Sequence, residues 1–168
     1  RGLGDVYKRQ ESKIATELGG DMFSAFASEQ YKKNNVEPMN IYKGSSIPLN
    51  ITSAIILKDD RSFITYGKGS IEPDDEAKES FYNMAHGAKI CLMQPGGFIE
   101  VYKKLKSEGT LMVLDMGWDE NMSVEKYSDL LDTADIYTPN RKEALRITGA
   151  ANENDAADAL SLIHISEP

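Results

Sequence analysis

Three short apolar segments, each followed by a segment of helical periodicity, most constrain the fold of this 168-residue chain. The apolar segments are residues 89–93, 111–115 and 135–138, and the helical segments are residues 98–108, 124–132 and 140–148. Strands that alternate with helices form βαβ units, and their right-handed crossovers make neighbouring strands parallel. The pattern therefore predicts an α/β fold built on a parallel sheet, with Ser123 as the cap of the middle helix.

The first half of the sequence predicts a helix, a hairpin and a second helix. Asp21 precedes residues 22–31, whose apolar side chains recur at helical spacing, so we expect Asp21 to cap a helix there. Residues 51–57 are rich in β-branched side chains, a polar turn follows, and residues 62–66 form a second strand-like segment. This arrangement is typical of a β-hairpin. A second helix is expected at residues 75–85.

Charge and composition argue against several kinds of partner. The chain has 19 Lys and Arg against 27 Asp and Glu, a net charge of -8. Such a chain, with no basic run, is not suited to nucleic acid or an anionic membrane as its main partner. No apolar run reaches the roughly 20 residues of a membrane-spanning helix. A single cysteine, Cys91, allows no internal disulfide, so we expect a soluble, cytoplasmic protein.

The two ends of the sequence are related to each other at the level of DNA. Residues 1–10 can be back-translated so that the reverse complement encodes LSLIHISEP, which is the sequence of residues 160–168. That DNA also resembles a transposase adapter used to prepare sequencing libraries. We therefore expect adapter-derived tails at both ends and a genuine segment at residues 11–159, cut from a longer gene. An apolar strand or helix at residues 160–165 is the alternative.

Polar loops follow each predicted strand of the second half. These loops are residues 94–97, residues 115–119, and residues 138–140 leading into Glu143. Ligands of open α/β sheets bind at the edge where parallel strands end. Glycines there allow close backbone approach, and helix starts offer free N–H groups to an anion. The sequence therefore predicts a polar ligand at this edge, one that can carry phosphate.

Four residues of these loops are candidate site residues, and each has an ordinary structural alternative. Asn140 and Glu143 have the spacing of a capping box, in which each side chain accepts a free N–H group at a helix start. That role is compatible with ligand binding. Asp115 can bind a substrate hydroxyl or a metal ion, or it can only cap a turn. Trp118 can form a platform for a sugar ring or pack in the core.

These residues lie in segments that resemble the ribokinase-like, or PfkB-type, carbohydrate kinases. Residues 135–149 read DIYTPNRKEALRITG and are similar to the family pattern P-N-x-x-E-A-x-x-x-T-G. Residues 114–119, LDMGWD, and residues 17–23, ELGGDMF, resemble two other family segments. The predicted hairpin region, residues 48–67, resembles the family's β-lid. The four segments occur in family order and cover essentially all of residues 11–159.

The resemblance implies a three-layer α/β fold with a mainly parallel sheet and a small β-lid hairpin at about residues 51–66, truncated at both ends. It also implies transfer of the γ-phosphoryl group of ATP to a hydroxyl of a sugar or nucleoside, with Mg²⁺. Asn140 and Glu143 would then act at the ATP and Mg²⁺ end, Glu143 indirectly on the metal. Asp115 and Trp118 would lie nearer the substrate, and the lid would form a homodimer contact in the parent protein.

One family motif is missing from the sequence. The family's catalytic base is the Asp of a C-terminal G-A-G-D motif, which does not occur in these 168 residues. We expect the family's opening strand and its Gly-Gly sugar-binding segment to be absent too. We therefore expect the parent protein to be a kinase and this chain to be inactive, with no catalytic residue of its own. The alternatives are a non-catalytic sugar- or nucleotide-binding α/β module and another Rossmann-like enzyme, the latter disfavoured because no G-x-G-x-x-G follows a strand.

Overall fold

A computed structural model describes residues 11–44, 47–58, 61–67 and 72–163. The chain divides into two compact units, which meet in sequence between Met84 and Ala85. The first unit contains β1 (Ser12–Thr16), α1 (Met22–Lys33), β2 (Val36–Asn40), β3 (Ile51–Ile56), β4 (Arg61–Tyr66) and most of α2 (Asp75–Ala85). The second contains β5 (Ile90–Met93), α3 (Ile99–Ser107), β6 (Leu111–Leu114), α4 (Ser128–Thr133), β7 (Ile136–Tyr137), α5 (Arg141–Thr148) and α6 (Glu153–Ile163). This mixture of helices and parallel strands confirms the predicted α/β class.

The first unit opens with a βαβ arrangement. β1 and β2 are parallel neighbours, paired from Ser12 with Val36 to Thr16 with Asn40, and α1 connects them. The Asp21 carboxylate accepts hydrogen bonds from the backbone N–H groups of Phe23 and Ser24, so α1 begins as predicted. The sequence pattern does not predict β2, because the proline in this short strand cannot donate a backbone hydrogen bond and proline is depleted in strands.

The predicted hairpin is present in the same unit. β3 and β4 pair in antiparallel fashion, from Ile51 opposite Tyr66 to Ile56 opposite Arg61. The hydroxyl oxygens of Thr52 and Thr65 lie 3.0 Å apart across the two strands. Successive side chains of a strand point to opposite faces, and the large apolar side chains of both faces are exposed, including Ile55, Ile56, Phe63 and Ile64. Within the described part of the chain, neither strand pairs with a third one.

The second unit contains the predicted parallel sheet. Its strand order is β5-β6-β7, with Ile90 opposite Leu111 and Leu114 opposite Tyr137. On one face of this sheet, the side chains of Met93, Met112 and Leu114 are fully buried. α3 and α4 both pack on β6 and contribute the fully buried Leu105 and Leu131. On the other face the apolar side chains are exposed, among them Ile90, Leu92 and Ile136.

Two features of this unit differ from the predictions. The helix expected at residues 124–132 is shorter, because residues 124–127 form a turn and α4 begins at Ser128. The Ser123 hydroxyl accepts a hydrogen bond from the Lys126 N–H at 3.2 Å, so Ser123 caps that turn rather than the helix.

The other difference is α6, which the sequence pattern does not predict at residues 153–159. Its start is capped by the Asn152 side chain, which accepts a hydrogen bond from the Asp155 N–H at 3.0 Å. Ala156 is buried, and the helix packs against α5. α6 continues through residues 160–163, whereas residues 1–10 and 164–168 lie outside the described part of the chain. The proposed boundaries at 1–10, 11–159 and 160–168 therefore stay a prediction.

None of the helices among the described residues combines the length and the apolar character needed to cross a membrane.

Candidate functional site

The carboxyl edge of the parallel sheet brings three of the predicted site residues to one side of the second unit. Leu114 ends β6 opposite Tyr137, which ends β7. The Thr138 N–H donates to the Leu114 carbonyl oxygen at 3.1 Å, which extends the pairing by one residue. Because both strands run in the same direction, Asp115 and the segment leading to Asn140 and Glu143 leave the sheet at the same edge.

Asn140 and Glu143 form the predicted capping box at the start of α5. The Asn140 Oδ1 atom accepts a hydrogen bond from the Glu143 N–H at 3.1 Å, and Glu143 Oε2 accepts one from the Asn140 N–H at 2.8 Å. Glu143 is only 8% exposed. Its second oxygen, Oε1, and the Asn140 amide nitrogen have no hydrogen-bond partner among the residues that the structure describes. The structural role therefore leaves one polar atom of each side chain for a ligand.

Asp115 and Trp118 are both exposed in the loop after β6. The Asp115 side chain makes no hydrogen bond within the described ranges, so it does not cap a turn there. Trp118 is 56% exposed. This excludes the core position that was the alternative for the indole and leaves its ring surface open to solvent.

Asp119 fixes the shape of the same loop. Its Oδ2 atom accepts hydrogen bonds from the Lys126 ammonium and, at 2.7 Å, from the Tyr127 hydroxyl, while Oδ1 accepts one from the Asn121 N–H. The hydrogen bond from Lys126, followed by that from Tyr127, holds the pKa of Asp119 well below its usual range. Asp119 was not among the predicted residues, and these contacts explain why residues 124–127 form a turn.

A second contact joins this loop to α5. The Arg146 guanidinium donates hydrogen bonds to the Glu120 carbonyl oxygen, the one from Nε at 3.0 Å. Since Arg146 and Glu143 lie on one helix, the loop that carries Asp115 and Trp118 is attached to the helix that carries Glu143.

Tyr137 is a further polar group at this edge. Its hydroxyl oxygen is buried and, among the residues described, has no hydrogen-bond partner. Burial, and then the negative charges of Glu143 and Asp115, raise the pKa of Tyr137 to about 12. The phenol is therefore a neutral donor at physiological pH. No sequence motif predicts this, because the position of the hydroxyl depends on the register of β7.

The acidic side chains of this edge are too few to hold a metal ion by themselves. Across the described ranges, no group of three or more His, Cys, Asp or Glu side chains is placed to do so. Any divalent cation at this edge would therefore take most of its ligands from water or from a bound anion.

The comparison with known protein families shows which family this chain belongs to. The model of the pfkB family carbohydrate kinases matches residues 3–167, nearly the whole chain. The chain belongs to the pfkB family. A search of curated protein sequences returns no match.

Solved structures of other proteins share the fold of this pfkB-family chain. Ribokinase from Giardia lamblia superposes with a TM-score of 0.76 at 19% identity, over 94% of this chain and 52% of that one. A PfkB family carbohydrate kinase from Listeria grayi gives 0.67 at 16% identity, over 90% and 53%. An E. coli protein assigned as ribokinase II, solved with ATP and Mg²⁺, gives 0.63 at 17% identity, over 90% and 53%. The ribokinase-like fold is thus confirmed, and the chain spans about half the length of these structures.

Proposed function

We propose that the parent protein of this chain transfers the γ-phosphoryl group of ATP to a hydroxyl of a sugar or nucleoside. The observation that carries the proposal is the carboxyl edge of the sheet. There a buried Glu143 keeps one carboxylate oxygen without a partner among the described residues, on the same side as Asp115, whose side chain also has none among them, in a chain of the pfkB family. Phosphoryl transfer depends mainly on positioning and on neutralising charge, which such an arrangement supports.

The residues at this edge fit ATP and Mg²⁺ as cofactors. Mg²⁺ prefers oxygen ligands, keeps several waters, and is usually bound by one or two carboxylates together with phosphate oxygens. Glu143 Oε1 supplies one such oxygen, directly or through a water. The first N–H groups of α5 add the partial positive charge that a helix start offers to phosphate, with Asn140 beside them. We assign Asn140 and Glu143 to the ATP and Mg²⁺ end on this basis.

The loop after β6 is proposed to contact the substrate. An exposed indole such as Trp118 can lie against the apolar face of a sugar or the base of a nucleoside. The Asp115 carboxylate can accept hydrogen bonds from substrate hydroxyl groups. Because Asp119 and Arg146 fix this loop, both side chains are presented from a rigid support.

The hairpin is proposed to act as the family's lid and as a homodimer contact of the parent protein. Support comes from the exposed apolar side chains on both of its faces, which include Ile56 and Ile64. A cytoplasmic location and the lack of nucleic-acid or membrane partners remain part of the proposal, on the grounds of charge and composition.

We further propose that the 168-residue chain does not catalyse phosphoryl transfer by itself. The G-A-G-D motif that carries the family's base is not in its sequence. Loss of a general base alone lowers rates by ~10²–10⁴-fold. The same absence is what favours the second candidate, a non-catalytic sugar- or nucleotide-binding module.

The test compares this chain with a gene extended downstream to include a D-x-x-G-A-G-D segment. ADP release is measured with a panel of sugars and nucleosides, in the presence of ATP and Mg²⁺. We expect turnover from the extended protein with at least one acceptor and none from the chain. Turnover by the chain contradicts its proposed inactivity, and a folded, extended protein that phosphorylates nothing favours the binding module.

A further inference from the structure

The Tyr137 hydroxyl, at the end of β7, is a buried donor that has no acceptor within the described part of the chain. Buried hydroxyl groups nearly always have a hydrogen-bond partner, so an unpartnered one calls for an explanation. Tyr137 lies opposite Leu114 in the sheet and three residues before Asn140. It is therefore placed between the two strand ends from which the candidate site residues emerge.

Burial, and then the negative charges of Glu143 and Asp115, raise the pKa of this hydroxyl, so both carboxylates are candidate acceptors. The Tyr127 hydroxyl already donates to Asp119 at 2.7 Å, and Asp115 is exposed. Glu143 is the buried one, and the capping box leaves its Oε1 atom without a donor. Among the described residues, the site thus contains a buried donor and an unpartnered oxygen on a mostly buried carboxylate side chain, and the two form no hydrogen bond with each other.

We propose that Tyr137 is a positioning residue for Glu143, and that its hydroxyl donates a hydrogen bond to Glu143 Oε1 when a divalent cation binds at this edge. A carboxylate oxygen that faces a cation, directly or through a water, still has a lone pair for a hydrogen bond, and such a hydrogen bond fixes the direction of the carboxylate. A neutral phenol supplies the donor without adding a charge that would repel the cation. Binding and the new hydrogen bond then stabilise each other.

This inference rests on the proposed function, since it takes Glu143 to be the residue that faces the cation. It concerns a residue outside the N-x-x-E pattern. It also gives an acceptor to a buried hydroxyl that has none among the described residues, and an unmet donor of this kind lowers stability.

The test uses the 168-residue chain labelled with ¹³C at the tyrosine ring, with Mn²⁺ and Mg²⁺ as probes. The Tyr137 signals are assigned by their loss in Tyr137→Phe. We expect Mn²⁺ to broaden the Tyr137 signals, and Mg²⁺ to shift the Cζ resonance as the hydroxyl becomes a donor. Tyr31, whose hydroxyl already lies 3.5 Å from Thr16 Oγ1, is the matched control and should show neither effect.

A double-mutant cycle tests whether Tyr137 and Glu143 act together in Mn²⁺ binding. Tyr137→Phe should weaken Mn²⁺ binding roughly tenfold, as expected for one hydrogen bond to a carboxylate. Glu143→Gln keeps the capping box, since Gln also suits that position. In the Gln variant, the additional Tyr137→Phe change should have little further effect on Mn²⁺ binding. Without metal, Tyr137→Phe should leave the urea midpoint unchanged or raise it, whereas Tyr31→Phe should not raise it.

Three results would overturn the inference. These are a Mg²⁺-independent Cζ resonance, additive effects of the two substitutions on Mn²⁺ binding, and a wild-type chain that binds no Mn²⁺. They are distinguishable from failure of the kinase proposal, which is decided by ADP release from the extended protein. If Glu143→Gln abolishes Mn²⁺ binding and Tyr137→Phe does not, the cation site stands and the role of Tyr137 is wrong.

Discussion

Asn140 and Glu143 each accept the backbone N–H of the other at the start of α5, at 3.1 and 2.8 Å. The same two side chains are the proposed contacts for ATP and Mg²⁺. In each side chain, one polar atom belongs to the helix cap and the other is proposed to bind the ligand. Substitutions can therefore separate the structural role from the functional one. A loss of binding means little unless the helix cap is known to be intact.

Two substitutions of Glu143 separate its role in the helix cap from its proposed role in binding the cation. Glu143→Gln keeps an acceptor for the Asn140 N–H, whereas Glu143→Ala removes it. We expect the Gln variant to retain nearly all of the free energy of unfolding. The Ala variant should lose about 1 kcal/mol, the typical value of a helix cap. Urea denaturation measures both. Divalent-cation binding should be weakened in both variants, and unchanged binding in the Gln variant would remove Glu143 from the cation site.

The lowered pKa of Asp119 predicts that the stability of the fold depends on pH. Because Lys126 and Tyr127 lower its pKa in the folded state, Asp119 stabilises the fold above its unfolded pKa of about 4. That contribution falls as the pH drops below 4 toward the lowered pKa. The urea midpoint of the wild type should therefore exceed that of Asp119→Asn at pH 7, and the difference should shrink by pH 3.

Asp158→Asn is the matched control for that experiment. Asp158 is an exposed carboxylate on α6 whose side chain forms no ion pair within the described ranges. Its substitution should give a midpoint close to that of the wild type at both pH values. A difference at pH 7 that persists unchanged at pH 3 would contradict the role assigned to Asp119.

Trp118 is the only tryptophan of the chain, so its fluorescence reports on the loop after β6 directly. Because the indole is largely exposed, acrylamide should quench the folded chain nearly as well as the urea-unfolded chain. In the extended protein, an acceptor sugar should shift the emission to shorter wavelength and protect it from acrylamide. Strong protection in the chain without sugar would show a buried indole and would remove Trp118 from the substrate contacts.

Leu105 and Leu92 provide a contrast between the two faces of the parallel sheet. Leu105, a residue of α3, is fully buried on the covered side of the sheet, and Leu92 is 70% exposed on the opposite face. Leu105→Ala should lower the free energy of unfolding by ~2–5 kcal/mol, because it removes buried methyl groups and leaves a cavity. Leu92→Ala should change it by less than about 1 kcal/mol. Equal losses in urea denaturation would mean that both faces are covered in solution.

Local patterns predicted the parts of the fold that local forces determine. The apolar segments at 89–93 and 111–115 became parallel strands, and the Asn140–Glu143 spacing became a capping box. The turn at 124–127 was wrongly predicted as helix because Asp119, several residues earlier, holds Lys126 and Tyr127. The unpartnered hydroxyl of Tyr137 could not be predicted either, since it depends on the register of β7 and on the burial of Glu143.

The exposed face of the parallel sheet, which includes Ile90, Leu92 and Ile136, has a consequence for every solution measurement on this chain. Strands of parallel sheets are normally covered on both faces, and uncovered apolar surface favours association between molecules. Folding and association are then linked by mass action, so that the unfolding midpoint should rise with protein concentration if the associated state is native. The yield of refolded monomer should fall over the same range. Comparisons between variants of this chain should therefore be made at matched and low concentration.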